Sequence, residues 1–133
     1  MGIYPGTDSA PAPGGIVKVI FNSNNDNIRI YMNTVGMDAN CKGMNNTVTN
    51  GCGLHIHIGK ECKDAIAIGG HFWTPSTAVD PWLTVKYTSN RHRETNEFIT
   101  LVGGNGYKFN SNKGHAFVIH GANGQRISCG VLY

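Results

Sequence analysis

The sequence predicts an all-β protein, an antiparallel sandwich or flattened barrel of about eight short strands. Glycine supplies 18 of the 133 residues and only 14% of the residues are charged, a composition typical of turn-rich β domains. Short runs of β-branched and apolar residues recur along the chain, and segments rich in asparagine, aspartate and glycine separate them. No stretch shows the apolar period of an amphipathic helix, which favours the antiparallel β class.

Composition also limits the partners and the compartment. The net charge of +3 is small and scattered along the chain, which argues against a nucleic-acid partner. No apolar run approaches the roughly 18 residues of a membrane span. The four cysteines are an even number in a small glycine-rich chain, which suggests two disulfides and an oxidising compartment. We therefore expect an extracellular or cell-surface domain with no nucleic-acid partner and no membrane span.

Residues 1–15 are predicted to be a tag or a linker. Residues 7–15 carry proline at alternate positions and then two glycines, a pattern typical of connections between domains. Residues 16–133 then form a single domain, which is long enough to bury a core of its own. A linker at this place would join the domain to a preceding one, so the chain is interpreted as a piece of a longer protein.

The predicted strands follow one another with short connections. The first two are joined by a turn rich in asparagine, and the second leads into a polar loop bracketed by Cys41 and Cys52. A disulfide between these two cysteines would pin the entry to the third strand. The predicted strands are Ile16–Phe21, Ile28–Val35, Leu54–Ile58, Leu83–Thr88, Glu97–Val102, Phe117–His120 and Ile127–Leu132.

The third predicted strand carries His55 and His57, separated by one residue. Because strand side chains alternate between faces, both imidazoles lie on one face and the apolar residues of the strand lie on the other. Two imidazoles side by side on a rigid strand form half of a metal site. Taken alone, the same pattern is more often a strand with two surface histidines. Other residues of the chain are therefore needed to distinguish a metal site from surface histidines.

Four motifs occur in order along the chain: HIH at 55–57, GGHFWTP at 69–75, GHAFVIH at 114–120 and GxRISCGV at 124–131. Together they resemble the motifs of the copper-zinc superoxide dismutase superfamily, and the resemblance runs from about Ile16 to the C-terminus. It implies an eight-stranded antiparallel Greek-key β-barrel, a flattened sandwich. It also implies four copper ligands, at His55, His57, His71 and His120.

The resemblance assigns roles to individual residues. His71 matches the catalytic histidine that bridges copper and zinc in the two-metal enzymes. Arg126 matches the arginine beside the copper that receives the substrate anion. Cys62 and Cys129 match the disulfide that ties the active-site loop to the last strand, which leaves Cys41 and Cys52 as the second pair.

The chain departs from the two-metal enzymes in two places. Residues 72–79 contain no histidine, so the zinc ligands that follow the bridging histidine in those enzymes are missing. The loop between the last copper histidine and the arginine, which steers anions, is shortened to GANGQ. Both departures resemble the copper-only superoxide dismutases and, with the extra cysteine pair, the copper-only repeat proteins. We therefore expect one copper per chain and no zinc.

Another group must then hold the second ring nitrogen of His71. The copper-only fungal enzymes use a glutamate there, and in this chain Thr77 and Asp80 fall near that region. Glu61 and Asp64 are the other nearby carboxylates. We expect Asp80, fixed before a proline at the end of the shortened loop, to accept a hydrogen bond from a ligand histidine directly or through water.

The resemblance implies a secreted, copper-dependent superoxide dismutase that converts superoxide to dioxygen and hydrogen peroxide. We expect a monomeric domain, one of several tandem repeats. The alternative is a copper-binding or adhesion module of the same fold without turnover, and a purely structural repeat unit is a weaker third reading. Two histidines are not expected to bind metal: His92 lies in a polar turn and His115 falls on the strand face opposite His120.

Overall fold

The structure, a computed structural model, describes residues 1–7, 13–76 and 78–133, and its strands form two antiparallel sheets. Residues 8–12 of the predicted linker and Thr77 lie outside the described residues. One sheet has four strands in the order β1-β7-β6-β4 and the other has three in the order β2-β3-β5. The strands are β1 Gly2–Ile3, β2 Gly14–Phe21, β3 Ile28–Val35, β4 Leu54–Ile56, β5 Thr95–Leu101, β6 Ala116–His120 and β7 Arg126–Val131.

The all-β class agrees with the prediction, but the described residues contain seven strands rather than eight, and their sheets do not close into a barrel. The predicted strand Leu83–Thr88 is replaced at its start by a 3₁₀ helix, Pro81–Thr84. Asp80 caps this helix by accepting from the backbone N–H of Trp82, and a proline at the first helical position fixes the turn. Beyond it, Lys86 and Thr88 make only isolated bridges.

Three further helical turns went unpredicted. They are α1 Ala65–Ile68, α2 Phe109–Asn112 and the 3₁₀ turn Gly43–Asn45. Each has three or four residues, too few for a 3.6-residue period to be visible in the sequence.

The main core fills the space between the two sheets. Its strand residues are the alternate apolar positions of β3, β4 and β6, among them Ile30, Leu54 and Phe117, and Trp82 packs with them. Ile58 was expected on the same face as Leu54, but its side chain is 57% exposed because β4 ends at residue 56. His55 and His120 alternate with these apolar residues and therefore point to the outer face of the four-stranded sheet.

A second, smaller core lies on that outer face, beneath the loop that runs from β4 to residue 72. It contains Ile68 of α1 together with Ala116, Val118 and Cys129 of the sheet. A disulfide joins Cys62 of the loop to Cys129 of β7, with 5.8 Å between the Cα atoms. The loop is thereby fastened over the face that carries the histidines. The second disulfide joins Cys41 to Cys52 just before β4.

The first residues of the segment predicted to be a tag or a linker lie against the four-stranded sheet. Gly2 and Ile3 pair with Ser128 and Cys129 of β7, and Tyr4 is only 5% exposed. The predicted domain start at residue 16 also falls inside β2, which begins at Gly14. Among the described residues, no helix is long and apolar enough to cross a membrane.

The disulfide between Cys62 and Cys129 should contribute strongly to stability, because it closes a segment with a sequence separation of 67 residues. Replacing both cysteines by alanine is expected to lower the free energy of unfolding by about 4 kcal/mol, the loop-entropy value for a closure of this length. Denaturant unfolding of the metal-free proteins measures this difference. A loss below about 1 kcal/mol would show that the unfolded chain gains little freedom when the link is removed.

Candidate metal centre

The strand β4 contains His55, and His57 follows the end of this strand in an isolated bridge, on the same outer face of the four-stranded sheet. His55 pairs in register with Val118 of β6, and both imidazoles are almost completely buried. Gly53 makes room for the first ring: a Cβ atom there would lie 2.3 Å from Cε1 of His55. The alternation of side chains along the strand therefore orients both imidazoles, and the absence of a side chain at Gly53 leaves space for the ring of His55.

His71 reaches the same place because the chain folds back along the histidine strand. His57 and His71 form an isolated antiparallel bridge, and Ile58 and Phe72 make the adjoining backbone hydrogen bonds. The reversal that precedes it passes through Gly69, whose φ of +67° is strained for any residue with a Cβ. The Gly-Gly pair before this histidine thus forms the turn that delivers it.

His120 is the last residue of β6, and after a register irregularity between Ile119 and His120 it pairs with Arg126 of β7. Nδ1 of His120 donates to the carbonyl oxygen of Gly124 at 2.8 Å. This bond lies within the tight connection to β7 and fixes the ring orientation. It also leaves Nε2 as the nitrogen with a lone pair.

These elements bring four imidazoles together: one nitrogen from each of His55, His57, His71 and His120 lies within 4.8 Å of the other three. Ligand nitrogens of one ion lie at most about 4 Å apart, since metal–nitrogen distances are about 2 Å. The four nitrogens are therefore spaced slightly more widely than a coordination shell, and the cluster could hold one metal ion.

The hydrogen bonds of the rings identify the nitrogen that each ligand offers. His57 donates from Nδ1 to the carbonyl of Gly69 at 2.9 Å, so its Nε2 is the acceptor, as it is in His120. Among the described residues, Nδ1 of His55 and Nε2 of His57 and His120 are buried without a hydrogen-bond partner. Buried polar atoms of this kind are costly unless something binds them. A metal ion satisfies all three, so the residues present fit a metal.

The electrostatics of the cluster keep these imidazoles neutral. Burial lowers the pKa of His57 to about 3 and that of His120 to about 4, while the neighbouring positive charges oppose protonation further. Burial, and then the other histidines, also hold the pKa of His55 well below its ordinary value. Neutral imidazole is the form that coordinates metal, so the site is ready to bind at neutral pH.

Asp80 holds the fourth ligand. Its Oδ2 lies 2.5 Å from Nδ1 of His71, and Oδ1 accepts from the backbone N–H of Trp82 at 2.9 Å. The indole of Trp82 in turn donates to the carbonyl of Phe72. The carboxylate is thus fixed by the 3₁₀ helix and directs Nε2 of His71 toward the other imidazoles.

Arg126 lies beside the cluster at the start of β7. One Nη atom donates to the carbonyl of Gly69 at 2.6 Å, the same oxygen that accepts from His57. The other Nη donates to the hydroxyl of Tyr4 at 2.7 Å. The guanidinium is half-buried and permanently charged, so it places a fixed positive charge next to a ligand.

The remaining predicted residues lie elsewhere. Asp64 caps α1 by accepting from Ile66, and Glu61 is exposed, so neither carboxylate approaches His71. His92 is exposed in its turn. His115 is buried outside the cluster, where it donates to the carbonyl of His57 and stacks on Phe72.

Sequence reasoning missed the groups that orient the ligands. The carbonyl oxygens of Gly69 and Gly124 carry no side-chain signal, although a glycine in a tight turn next to a ligand could have suggested them. Tyr4 was missed because it lies in a segment predicted to be a tag or a linker. Nothing in the sequence near Tyr4 connects it with residue 126.

Neither a scan against protein-family models nor a search of curated proteins found a match for this chain.

Stability of the metal-free protein should fall as the pH drops from 7 to 5. The folded-state pKa values of His57 and His120 lie below the ordinary value of 6.5, so the unfolded chain binds protons that the folded chain excludes. Below pH 6.5 each of the two histidines lowers the free energy of unfolding by up to about 1.4 kcal/mol per pH unit. Above pH 6.5 this destabilisation disappears. Denaturant midpoints at several pH values measure this slope.

The exposed His92 provides the control, because a His92→Ala protein should keep the same slope. The prediction fails if the free energy of unfolding stays constant between pH 7 and pH 5.

Proposed function

We propose that the chain is a copper-only superoxide dismutase of the copper-zinc superoxide dismutase superfamily. The observation that carries this proposal is the hydrogen bond between His71 and Asp80 beside a cluster of four imidazoles. In the two-metal enzymes that the sequence resembles, the corresponding nitrogen binds zinc. A carboxylate on that nitrogen supports a site for one metal rather than two.

The donor set supports copper as that metal. All four candidate ligands are imidazoles, which suit copper in both of its common oxidation states, and among the described residues no thiolate or carboxylate belongs to the cluster. When bound, copper would supply the redox chemistry, alternating between Cu(II) and Cu(I) as one superoxide is oxidised to dioxygen and another is reduced to peroxide.

The chain supplies the positioning and the charge. The carbonyls of Gly69 and Gly124 and the carboxylate of Asp80 hold three ligand rings, so the acceptor nitrogens are oriented before the metal arrives. Arg126 adds a fixed positive charge at the edge of the cluster. A small anion such as superoxide is attracted to this place and oriented by the guanidinium.

Other features of the proposed assignment have partial support. Two antiparallel sheets with a core between them are compatible with a Greek-key barrel, the fold that the resemblance implies. Two disulfides suggest an oxidising compartment and hence an extracellular location. The glycine-rich connection at residues 121–125 is short, so the chain between His120 and Arg126 adds no long loop over the site.

Superoxide consumption tests the proposal. We expect the copper-loaded protein to remove superoxide catalytically, and a His120→Ala protein to lose copper and activity together because one of four ligands is missing. Pulsed superoxide with optical detection measures the rate, and free copper in the presence of a chelator is the control. A copper-loaded protein that is no faster than this control would favour the copper-binding or adhesion module instead.

Removing the charge of Arg126 should slow the reaction without releasing copper. We expect Arg126→Ala to lower kcat/KM for superoxide about 10-fold, which corresponds to about 1.4 kcal/mol of transition-state stabilisation. The effect should shrink as ionic strength rises, since salt screens the attraction of an anion to an exposed charge. Arg91→Ala, at an exposed turn, is the matched control. An unchanged kcat/KM at low salt would show that Arg126 does not have this role.

The carboxylate of Asp80 should control how firmly the metal is held. Asp80→Asn keeps the cap acceptor for Trp82 but replaces the charged partner of His71, and we expect copper affinity to fall about 10- to 100-fold. Competition with a copper chelator measures this affinity. Asp26→Asn, at a surface position paired with Lys108, is the control. Equal affinities in the two variants would contradict the role of Asp80.

A further inference from the structure

Arg126 is held by three groups, and one of them belongs to the N-terminal segment. Its guanidinium donates to the carbonyl of Gly69, lies 3.5 Å from the carbonyl of Ala65 and donates to the hydroxyl of Tyr4. The first two acceptors belong to the loop that covers the sheet. The third comes from a residue 122 positions away in the sequence.

The side chain of Tyr4 is itself rigidly placed. It is 5% exposed, its hydroxyl donates to the carbonyl of Ala65 at 3.2 Å, and its ring lies beneath the guanidinium with 5.6 Å between the ring centroid and Cζ of Arg126. The hydroxyl therefore accepts from the arginine and donates to the loop at the same time. Such a bridging hydroxyl fixes both partners relative to each other.

The backbone of the N-terminal segment explains why Tyr4 stays there. The backbone N–H of Tyr4 donates to the carbonyl of Ile127, next to Arg126. The carbonyl of Tyr4 accepts from both the backbone and the side chain of Thr7. Two residues before Tyr4, the carbonyl of Gly2 accepts from the hydroxyl of Ser128. The segment thus runs along β7 as an added strand and delivers the phenol to the first residue of that strand.

We propose that Tyr4 is a positioning residue for Arg126, so that the N-terminal segment is part of the anion-receiving side of the site. Without the hydroxyl, one Nη of Arg126 loses its closest acceptor on that side and the guanidinium gains rotational freedom. An arginine that samples several rotamers offers its charge and donors to an incoming anion for less of the time. The inference deepens the proposed function and rests on it for its kinetic consequence.

The matched variant is Tyr4→Phe, which keeps the ring beneath the guanidinium and removes only the hydroxyl. Tyr31→Phe is the control, because Tyr31 lies on the three-stranded sheet against Phe98. We expect Tyr4→Phe to leave copper affinity unchanged. Azide binding to the copper-loaded protein should weaken about five-fold, the factor that corresponds to the usual net free energy of one hydrogen bond. Its kcat/KM for superoxide should fall by a similar factor, with the effect reduced at high salt.

A second readout does not depend on catalysis. In the metal-free, ¹⁵N-labelled protein, the side-chain N–H signals of Arg126 should exchange with water faster in Tyr4→Phe than in the wild type or in Tyr31→Phe. If the wild type proves inactive toward superoxide while these signals and azide binding still respond to Tyr4→Phe, the positioning role stands and the proposed function falls. Unchanged exchange together with unchanged azide binding would overturn the positioning role, whatever the activity.

Discussion

The carbonyl oxygen of Gly69 accepts from two side chains, and the site depends on this shared acceptor. His57 donates to it from Nδ1 and Arg126 donates to it from one Nη atom. The first bond selects the nitrogen that His57 offers to a metal, and the second sets the position of the positive charge. One backbone atom therefore couples the imidazole cluster to the guanidinium that we propose receives the anion.

This acceptor stays in place because the loop that contains it is fastened at several points. The disulfide to Cys129 ties the loop to β7, Asp64 caps its single helical turn, and the bridge between His57 and His71 ties its end to the sheet. The helix cap contributes about 1 kcal/mol, whereas the disulfide closes a long segment and contributes about 4 kcal/mol. Together they allow three neutral imidazoles to remain buried at the surface of a sheet, against the cost of burying their unpaired nitrogens.

Much of the all-β fold could be anticipated from the sequence, because strands and turns leave local patterns. Strand alternation put His55 and His57 on one face, whereas His71 and His120 were implied as further ligands by the resemblance of their motifs to a known family. The strand expected at residues 83–88 was wrong at its start, since Asp80 and the following proline favour a capped turn over a ladder. The partners of Arg126 could not be predicted, because backbone carbonyls and a residue 122 positions away leave no pattern in sequence.

The metal content of the protein shows whether a carboxylate takes the place of a second metal beside four imidazoles, as we propose. The protein is saturated with copper and zinc together, dialysed and analysed for both elements, and its Cu(II) electron paramagnetic resonance spectrum is recorded. We expect one copper per chain, no stoichiometric zinc and hyperfine coupling to nitrogen ligands. One firmly held zinc per chain alongside the copper would contradict it, because Asp80 would then leave His71 free to bridge two metals.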